Sequence, residues 1–189
     1  MGEETPVLSG VEAAVSMPDL SAYPWVYLRD GKPLAEDEAV ISLLAVGDVM
    51  LGRGVLVQPE PLADVAWLGA ADLVLGNLEG VVTSEQFTVD SEQSTDPGSR
   101  IMLTMPETVV THLREAGFDL LGLANNHSLD LGAAGLAETA VSLQEAGLTP
   151  IGLQTSALVT PTIRVVNGVH LAFFAFNAVP DPEGGALSS

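Results

Sequence analysis

The chain has 189 residues with 25 acidic side chains against 6 basic ones, a net charge of −19, and no cysteine. Its length favours one domain with a real core, and the lack of cysteine excludes disulfides, thiolate zinc sites and cysteine nucleophiles. Binding to phosphate backbones requires basic patches, so we expect neither nucleic acid nor an anionic membrane surface as a partner. The high apolar content, with few charged and aromatic residues, is typical of a parallel sheet covered by helices.

The ends of the chain show no pattern of a membrane segment. Residues 1–4, MGEE, lack the basic and apolar regions of a signal peptide. The apolar run from Val169 to Pro180 is too short to span a bilayer and is interrupted by His170 and Asn177. We therefore expect no membrane contact from this chain itself.

The regular patterns begin at Ile41. Residues 1–40 show little periodicity, and we interpret them as an N-terminal extension or the end of a preceding domain. Residues 41–189 are expected to form the main unit. Within it, the long polar stretch 83–100 is predicted to be a loop.

Three apolar runs are predicted to be strands, and polar side chains follow each of them. The runs cover residues 41–46, which we expect to be a buried strand, 72–75 and 118–124. In open α/β sheets, ligands bind outside the carboxyl ends of the strands, so these polar residues are expected to share one site. In chain order they are Asp48, Asn77, Glu79, Asn125, Asn126, His127 and Asp130.

Helices are predicted between the strands. A short helix fits residues 61–68. Thr104 and Glu107 have the spacing of a capping box, which predicts a helix that begins there and ends at Gly117. Another helix is predicted over residues 133–146.

The last elements are predicted to be strands. A short fourth strand is expected over residues 150–153. The pair Asn167 and Gly168 lies between the runs 162–166 and 169–176, and this pattern predicts a β-hairpin.

The polar residues at the strand ends are the types that bind divalent metals such as Mn, Fe, Zn or Mg. They have no short fixed spacing, so the fold would have to assemble the site. Asp48 or Asn77 taken alone could simply stabilise a turn, and His127 could be a hydrogen-bonded loop histidine. Glu79 is harder to explain structurally, because an unpaired buried carboxylate is costly.

Arg53 lies in a glycine-rich stretch that runs from Gly47 to Gly54. The stretch lacks the Gly-Lys-Ser/Thr ending of a phosphate-binding P-loop. Arg53 could contact an anion, or it could pair with one of the many carboxylates.

Three stretches resemble the CapA family, the bacterial capsule-synthesis and poly-γ-glutamate biosynthesis proteins related to calcineurin-like metallophosphatases. They are residues 47–53 (GDVMLGR), 71–79 (ADLVLGNLE) and 117–130 (GFDLLGLANNHSLD). The resemblance covers roughly residues 41–178, with the motifs in the right order. It implies an α/β fold, a metallophosphatase-like α/β/β/α sandwich that is incomplete in this chain, because the family continues beyond such a hairpin.

The resemblance also implies roles for the residues at the strand ends. Asp48 resembles the first aspartate ligand of the metallophosphatases, and Asn126 with His127 resembles their Gly-Asn-His segment. The resemblance implies a centre of one or two divalent ions. Its ligands would be Asp48, Asn77, Glu79, Asn126 and His127.

The remaining site residues are assigned by the same resemblance. His127 and Asn126 would be catalytic, while Arg53, Asn125 and Asp130 would contact substrate or an anion, or support the ligands. Two residues depart from the superfamily pattern. Met50 stands where the first motif has histidine, and the neutral Asn77 stands where a bridging carboxylate is usual.

The implied function is metal-dependent hydrolysis of a cell-envelope polymer or its precursor, with metal-activated water or with His127 as a general acid. The alternative is a non-catalytic binding or scaffold subunit of a capsule polymer synthesis and export complex. A third hypothesis is a fragment with exposed sheet edges and no activity of its own. The implied partners are an anionic envelope polymer and other capsule-synthesis subunits, and the implied location is extracytoplasmic.

Overall fold

The computed structural model describes residues 40–84, 101–153 and 159–179. The expectations for residues 1–39 and for most of the polar loop, residues 85–100, lie outside the described residues. The strands are β1 (Leu43–Val49), β2 (Leu73–Leu78), β3 (Val81–Thr83), β4 (Thr104–Pro106), β5 (Leu120–Gly122), β6 (Thr149–Ile151), β7 (Thr162–Val166) and β8 (Val169–Phe173). The α-helices are α1 (Val109–Glu115) and α2 (Gly132–Glu145), and 3₁₀ turns cover Val55–Val57 and Ala63–Ala70.

The main element is a four-stranded parallel sheet in the order β1-β2-β5-β6. Strands β3 and β4 form a short parallel ladder, and β7 pairs with β8 as an antiparallel hairpin. Because all four strands of the main sheet run in the same direction, their carboxyl ends lie along one edge. The expected α/β fold is confirmed, and it is compatible with a metallophosphatase-like arrangement.

The sheet separates two apolar clusters. On one face, Val74 and Leu121 pack with Leu113 of α1 and Leu143 of α2. On the other face, the β7–β8 hairpin covers the sheet residues whose side chains point away from the helices. The residues of this second cluster include Leu73, Leu120 and Ile151 from the sheet and Val166, Leu171 and Phe173 from the hairpin. The sheet therefore lies between a helical layer and the hairpin.

The outer face of the hairpin is apolar and exposed. Ile163 and Val165 of β7 are both exposed. After β8, the exposed rings of Phe174 and Phe176 are stacked with their centroids 6.3 Å apart. No helix within the described ranges has the length and apolar character needed to cross a bilayer.

Strand β1 is not the buried strand that its apolar sequence predicts. It lies at the edge of the sheet, and only its last residue, Val49, is buried, while Leu43 is 48% exposed. An apolar run by itself does not distinguish an edge strand from a central one. The strand also continues to Val49, so Asp48 lies within it, and a register shift after Ala45 sets Asp48 level with Asn77 of β2.

The predicted capping box at Thr104 is wrong. Thr104 begins β4, which pairs with β3, and helix α1 begins only at Val109. The residue before a proline is biased towards extended conformations, and Pro106 places this bias on the segment that pairs with β3. The end of the helix is as predicted, because Gly117 follows α1 with a φ of 95°.

The other predicted elements are confirmed with shifted bounds. Helix α2, strand β6 and the hairpin all lie where the sequence indicates. The turn residues Asn167 and Gly168 have φ angles of 49° and 81°, as a two-residue hairpin turn of type I′ requires. The short helix predicted at residues 61–68 is the 3₁₀ segment Ala63–Ala70.

Candidate functional site at the strand ends

Six of the residues singled out by the sequence meet at the carboxyl ends of β1, β2 and β5. Strands β1 and β2 place two of them side by side, a third follows β2 directly, and the other three lie in the loop after β5. Parallel pairing is the reason, because it brings residues far apart in the chain to one edge. The six are Asp48, Asn77, Glu79, Asn125, His127 and Asp130.

Asn77 lies at the centre of this group. Its Nδ2 donates hydrogen bonds to Oδ1 of Asp48 and to Oε2 of Glu79, each with a distance of 2.7 Å. Its Oδ1 accepts a hydrogen bond of 3.0 Å from Nδ2 of Asn125. The amide nitrogen of Asn77 therefore lies between two carboxylates.

Asn125 connects this centre to the loop that follows β5. Its Nδ2 also donates to the carbonyl oxygen of Leu78 at 2.8 Å, and its Oδ1 accepts from the backbone N–H of His127 at 3.0 Å. The buried hydroxyl of Ser128 accepts from the backbone N–H of Asn125 and donates to the carbonyl oxygen of Leu123. The loop is thus held by its own polar side chains, and its conformation positions His127.

His127 and Asp130 form a close pair. Nδ1 of His127 lies 2.8 Å from Oδ2 of Asp130, whose side chain is fully buried. The same oxygen accepts the backbone N–H of Leu103 at 2.6 Å. Since an ionised carboxylate only accepts hydrogen bonds, Nδ1 carries the proton in the neutral ring. Nε2 therefore has the free lone pair, and it faces Oε1 of Glu79 at 3.9 Å.

Two more residues were predicted to belong to the site. Asn126 and Arg53 are both exposed, and none of the hydrogen bonds described above involves either of them. Arg53 has a φ of 54°, in the left-handed region that non-glycine residues rarely adopt. Met50 takes no part as a polar ligand, since its sulfur accepts the backbone N–H of Gly52 at 3.1 Å.

The side chains at this site are of the chemical types that bind divalent ions, but the distances between them are longer than in a formed metal site. Two carboxylates and an imidazole nitrogen are ligands for Mn, Fe, Zn or Mg. Neighbouring ligands of a metal with bonds of about 2.1 Å lie about 3.0–3.4 Å apart, and Oε1 of Glu79 lies 3.9 Å from Nε2 of His127. Across the three described ranges, no group of three or more His, Asp or Glu side chains is already placed to hold a metal ion. Small movements would be needed to close the donors around one.

Two further residues support the site without having been predicted to do so. Ser128 is 7% exposed and fastens the loop after β5. Asn177, which follows the hairpin, donates from Nδ2 to the carbonyl oxygen of Asn125 at 3.0 Å. The only sign of Asn177 in the sequence is that it interrupts an apolar run, and its partner is evident only from the folded chain.

Comparison with known proteins gives related sequences. A family model described as "Bacterial capsule synthesis protein PGA_cap" matches residues 42–187. A "Capsule biosynthesis protein CapA" of Bacillus anthracis is 33% identical over 145 residues, which is 72% of this chain and 34% of that protein. A "PGA biosynthesis protein CapA" of Bacillus subtilis is 30% identical over 150 residues, 74% of this chain and 38% of that protein. An "Uncharacterized protein y4uA" of Sinorhizobium fredii is 32% identical over 127 residues, 66% of this chain and 27% of that protein.

Proposed function

The chain belongs to the PGA_cap family of bacterial capsule synthesis proteins, and from this premise we propose that the protein acts in the biosynthesis of a capsule polymer of the poly-γ-glutamate type. Two similar Bacillus proteins carry names for capsule and PGA biosynthesis, which supports the proposal. The chain spans only 34% and 38% of their lengths, so the role is proposed for a protein that contains the matched region. Such a role is exercised at the cell envelope, on an anionic polymer or its precursor and together with other capsule-synthesis subunits.

The strand-end group is the proposed site of this activity. The observation that carries the proposal is the pair of buried Asp130 and half-buried His127, which presents Nε2 of His127 towards Glu79. A buried carboxylate behind a histidine is the usual support for a metal ligand or a proton-transferring group. A purely structural histidine would not need its second nitrogen directed at another carboxylate.

A divalent ion at this site would be held by Asp48, Glu79 and His127. When bound, it would polarise the scissile group of the substrate and lower the pKa of a water molecule. Asp130 would keep His127 in the tautomer that leaves Nε2 free. The ion would also reverse the local charge, which matters because a protein with a net charge of −19 repels a polyanion.

A scaffold subunit is the second candidate, and two neutral residues favour it. By the resemblance to the metallophosphatases, Met50 and Asn77 stand at positions where that superfamily has metal ligands. Met50 is turned to the backbone N–H of Gly52, and Asn77 fills the space between the carboxylates with an amide nitrogen. In this alternative the protein would bind the polymer or another subunit and would not cleave a bond.

Metal content after purification tests the leading proposal. We expect close to one equivalent of Mn, Fe or Zn by elemental analysis in the native chain, and its loss in the Asp48→Ala/His127→Ala double variant. The matched control is Asp64→Ala/His170→Ala, which removes the same two residue types from exposed positions outside the site. This control should retain the metal.

Two results would contradict the proposal. One is the absence of metal from the native chain after dialysis against each ion, and the other is equal metal content in the native chain and the site variant. Either result would favour the scaffold function. Retained metal would instead justify assays with phosphodiester and γ-glutamyl substrates.

A further inference from the structure

The backbone determines which way the amide of Asn125 points. One end of this side chain meets the N–H of His127, which can only donate, and the other end meets the carbonyl oxygen of Leu78, which can only accept. The oxygen of Asn125 must therefore face His127, and its nitrogen must face Leu78. Nδ2 of Asn125 also reaches the side chain of Asn77 at 3.0 Å.

The orientation of Asn77 follows from that of Asn125. A donor nitrogen of Asn125 points at Asn77, so Asn77 must present its oxygen there. Its nitrogen is then directed at Asp48 and Glu79, which are pure acceptors when ionised. The direction of the Asn77 amide is thus set by two backbone groups acting through Asn125.

A cation shared by Asp48 and Glu79 would occupy the space that this amide nitrogen now fills. The nitrogen lies 2.7 Å from an oxygen of each carboxylate, and it uses both of its hydrogens there. Rotating the amide to offer Oδ1 to a metal would set the nitrogen of Asn77 against the nitrogen of Asn125. It would also place an oxygen beside the two carboxylates.

We propose that Asn77 is not a metal ligand but the residue that controls metal entry, because its amide nitrogen joins Asp48 and Glu79 in the place of a cation. The inference builds on the proposed metal-binding function and specifies how the site is regulated. A divalent ion must displace the Asn77 hydrogen bonds before both carboxylates can bind it. The native site consequently binds a divalent ion less tightly than the same two carboxylates would bind it without the Asn77 amide.

The variant Asn77→Asp tests this inference directly. Aspartate has nearly the shape of asparagine, but it removes both hydrogens and adds a third negative charge beside the two carboxylates. Without metal, in EDTA, we expect its melting temperature to fall several degrees, since like charges repel at this range. With Mn²⁺, we expect the dissociation constant to fall about tenfold or more relative to the native chain. The free Mn²⁺ signal in electron paramagnetic resonance measures this constant.

Two more variants separate the effect of removing the Asn77 amide from the effect of adding a negative charge. Asn77→Ala removes the amide without adding charge, and it should bind Mn²⁺ at least as tightly as the native chain. Asn167→Asp is the matched control for charge. Asn167 lies in the turn between β7 and β8, and its amide nitrogen also faces a carboxylate, that of Asp72. This variant should leave the Mn²⁺ affinity unchanged.

The outcomes distinguish this inference from the proposed function. Weaker Mn²⁺ binding by Asn77→Ala than by the native chain would identify Asn77 as a ligand and overturn the inference. Native binding with no gain in Asn77→Asp would also overturn it and leave the proposed function standing. Binding by Asn77→Asp alone would support the inference while contradicting metal use by the native protein. No binding by any variant would overturn both.

Discussion

The carboxylates at the amino ends and at the carboxyl ends of the parallel strands make different kinds of hydrogen bond. At the amino ends of the strands, Asp72 accepts the backbone N–H and the hydroxyl of Ser42, and Asp119 accepts the backbone N–H of Val74. At the carboxyl ends, Asp48 and Glu79 accept hydrogen bonds from the side chain of Asn77. A carboxylate bound to backbone holds neighbouring strands together, whereas one bound to a rotatable side chain can exchange that partner for a ligand.

Asp130 combines both patterns, and its removal is expected to have the largest effect on stability. Its buried carboxylate accepts the backbone N–H of Leu103 and the ring of His127. Asp130→Ala would leave a buried N–H without an acceptor, so we expect a loss of about 2–3 kcal/mol in the free energy of unfolding. Urea denaturation measures this loss, with the exposed Asp64→Ala as control. A loss equal to that of the control would mean that Asp130 behaves as a surface residue.

Asp119, at the amino ends of the strands, and Glu79, at the carboxyl ends, allow the most direct comparison of the two ends of the sheet. Asp119→Ala breaks a bond to the N–H of the fully buried Val74, and we expect it to cost about 1–2 kcal/mol of stability. Its metal content should stay at the native level. Glu79→Gln keeps the side-chain length at the other edge, so we expect less than about 0.5 kcal/mol of destabilisation together with loss of bound metal.

Parallel denaturation and elemental analysis of these two variants would test the comparison. Loss of metal in Asp119→Ala with no loss of stability would contradict the assignment of a structural role to the amino ends of the strands and a binding role to the carboxyl ends. So would a large destabilisation in Glu79→Gln.

The smallest expected effect is a pH dependence of stability that arises from Asp72, at the amino ends of the strands. The backbone N–H and hydroxyl of Ser42, and to a lesser degree Asn167, lower the pKa of Asp72 below its ordinary value. A lowered folded-state pKa adds stability above the unfolded-state pKa, and this stability is lost as the pH falls through the folded value, below about pH 4. We expect the melting-temperature advantage of the native chain over Asp72→Asn to shrink between about pH 7 and about pH 3. A constant difference across that range would exclude this contribution.

The positions of the site residues were accessible from sequence, but their partners were not. Polar residues after apolar strands correctly indicated Asp48, Asn77, Glu79, Asn125, His127 and Asp130 as one group at the edge of the sheet. The roles of these six residues, the assignment of Asn126 and Arg53 to the site, and the metal itself all stay predictions. No sequence pattern indicates that the nitrogen of Asn77 faces two carboxylates, because that depends on groups up to 48 positions away.

Strands β1 and β4 show the same limit for secondary structure. The apolar run of β1 predicted a strand correctly, yet its edge position and the register shift before Asp48 depend on pairing with β2. At Thr104 a local capping pattern predicted a helix, but pairing with β3 keeps this segment extended. Local preferences amount to fractions of a kcal/mol per residue, and tertiary contacts override them.

The sequence by itself determined the class of fold, the order of most elements and the family, because periodicity, turn residues and motifs are local signals. It also determined the charge that makes a bare polyanion an unfavourable partner. The tertiary structure alone decided which polar atoms face one another: Asn77 between two carboxylates, and His127 between Asp130 and Glu79. The physical reason is that hydrogen-bond direction depends on three-dimensional register, which parallel strands establish between residues distant in the chain.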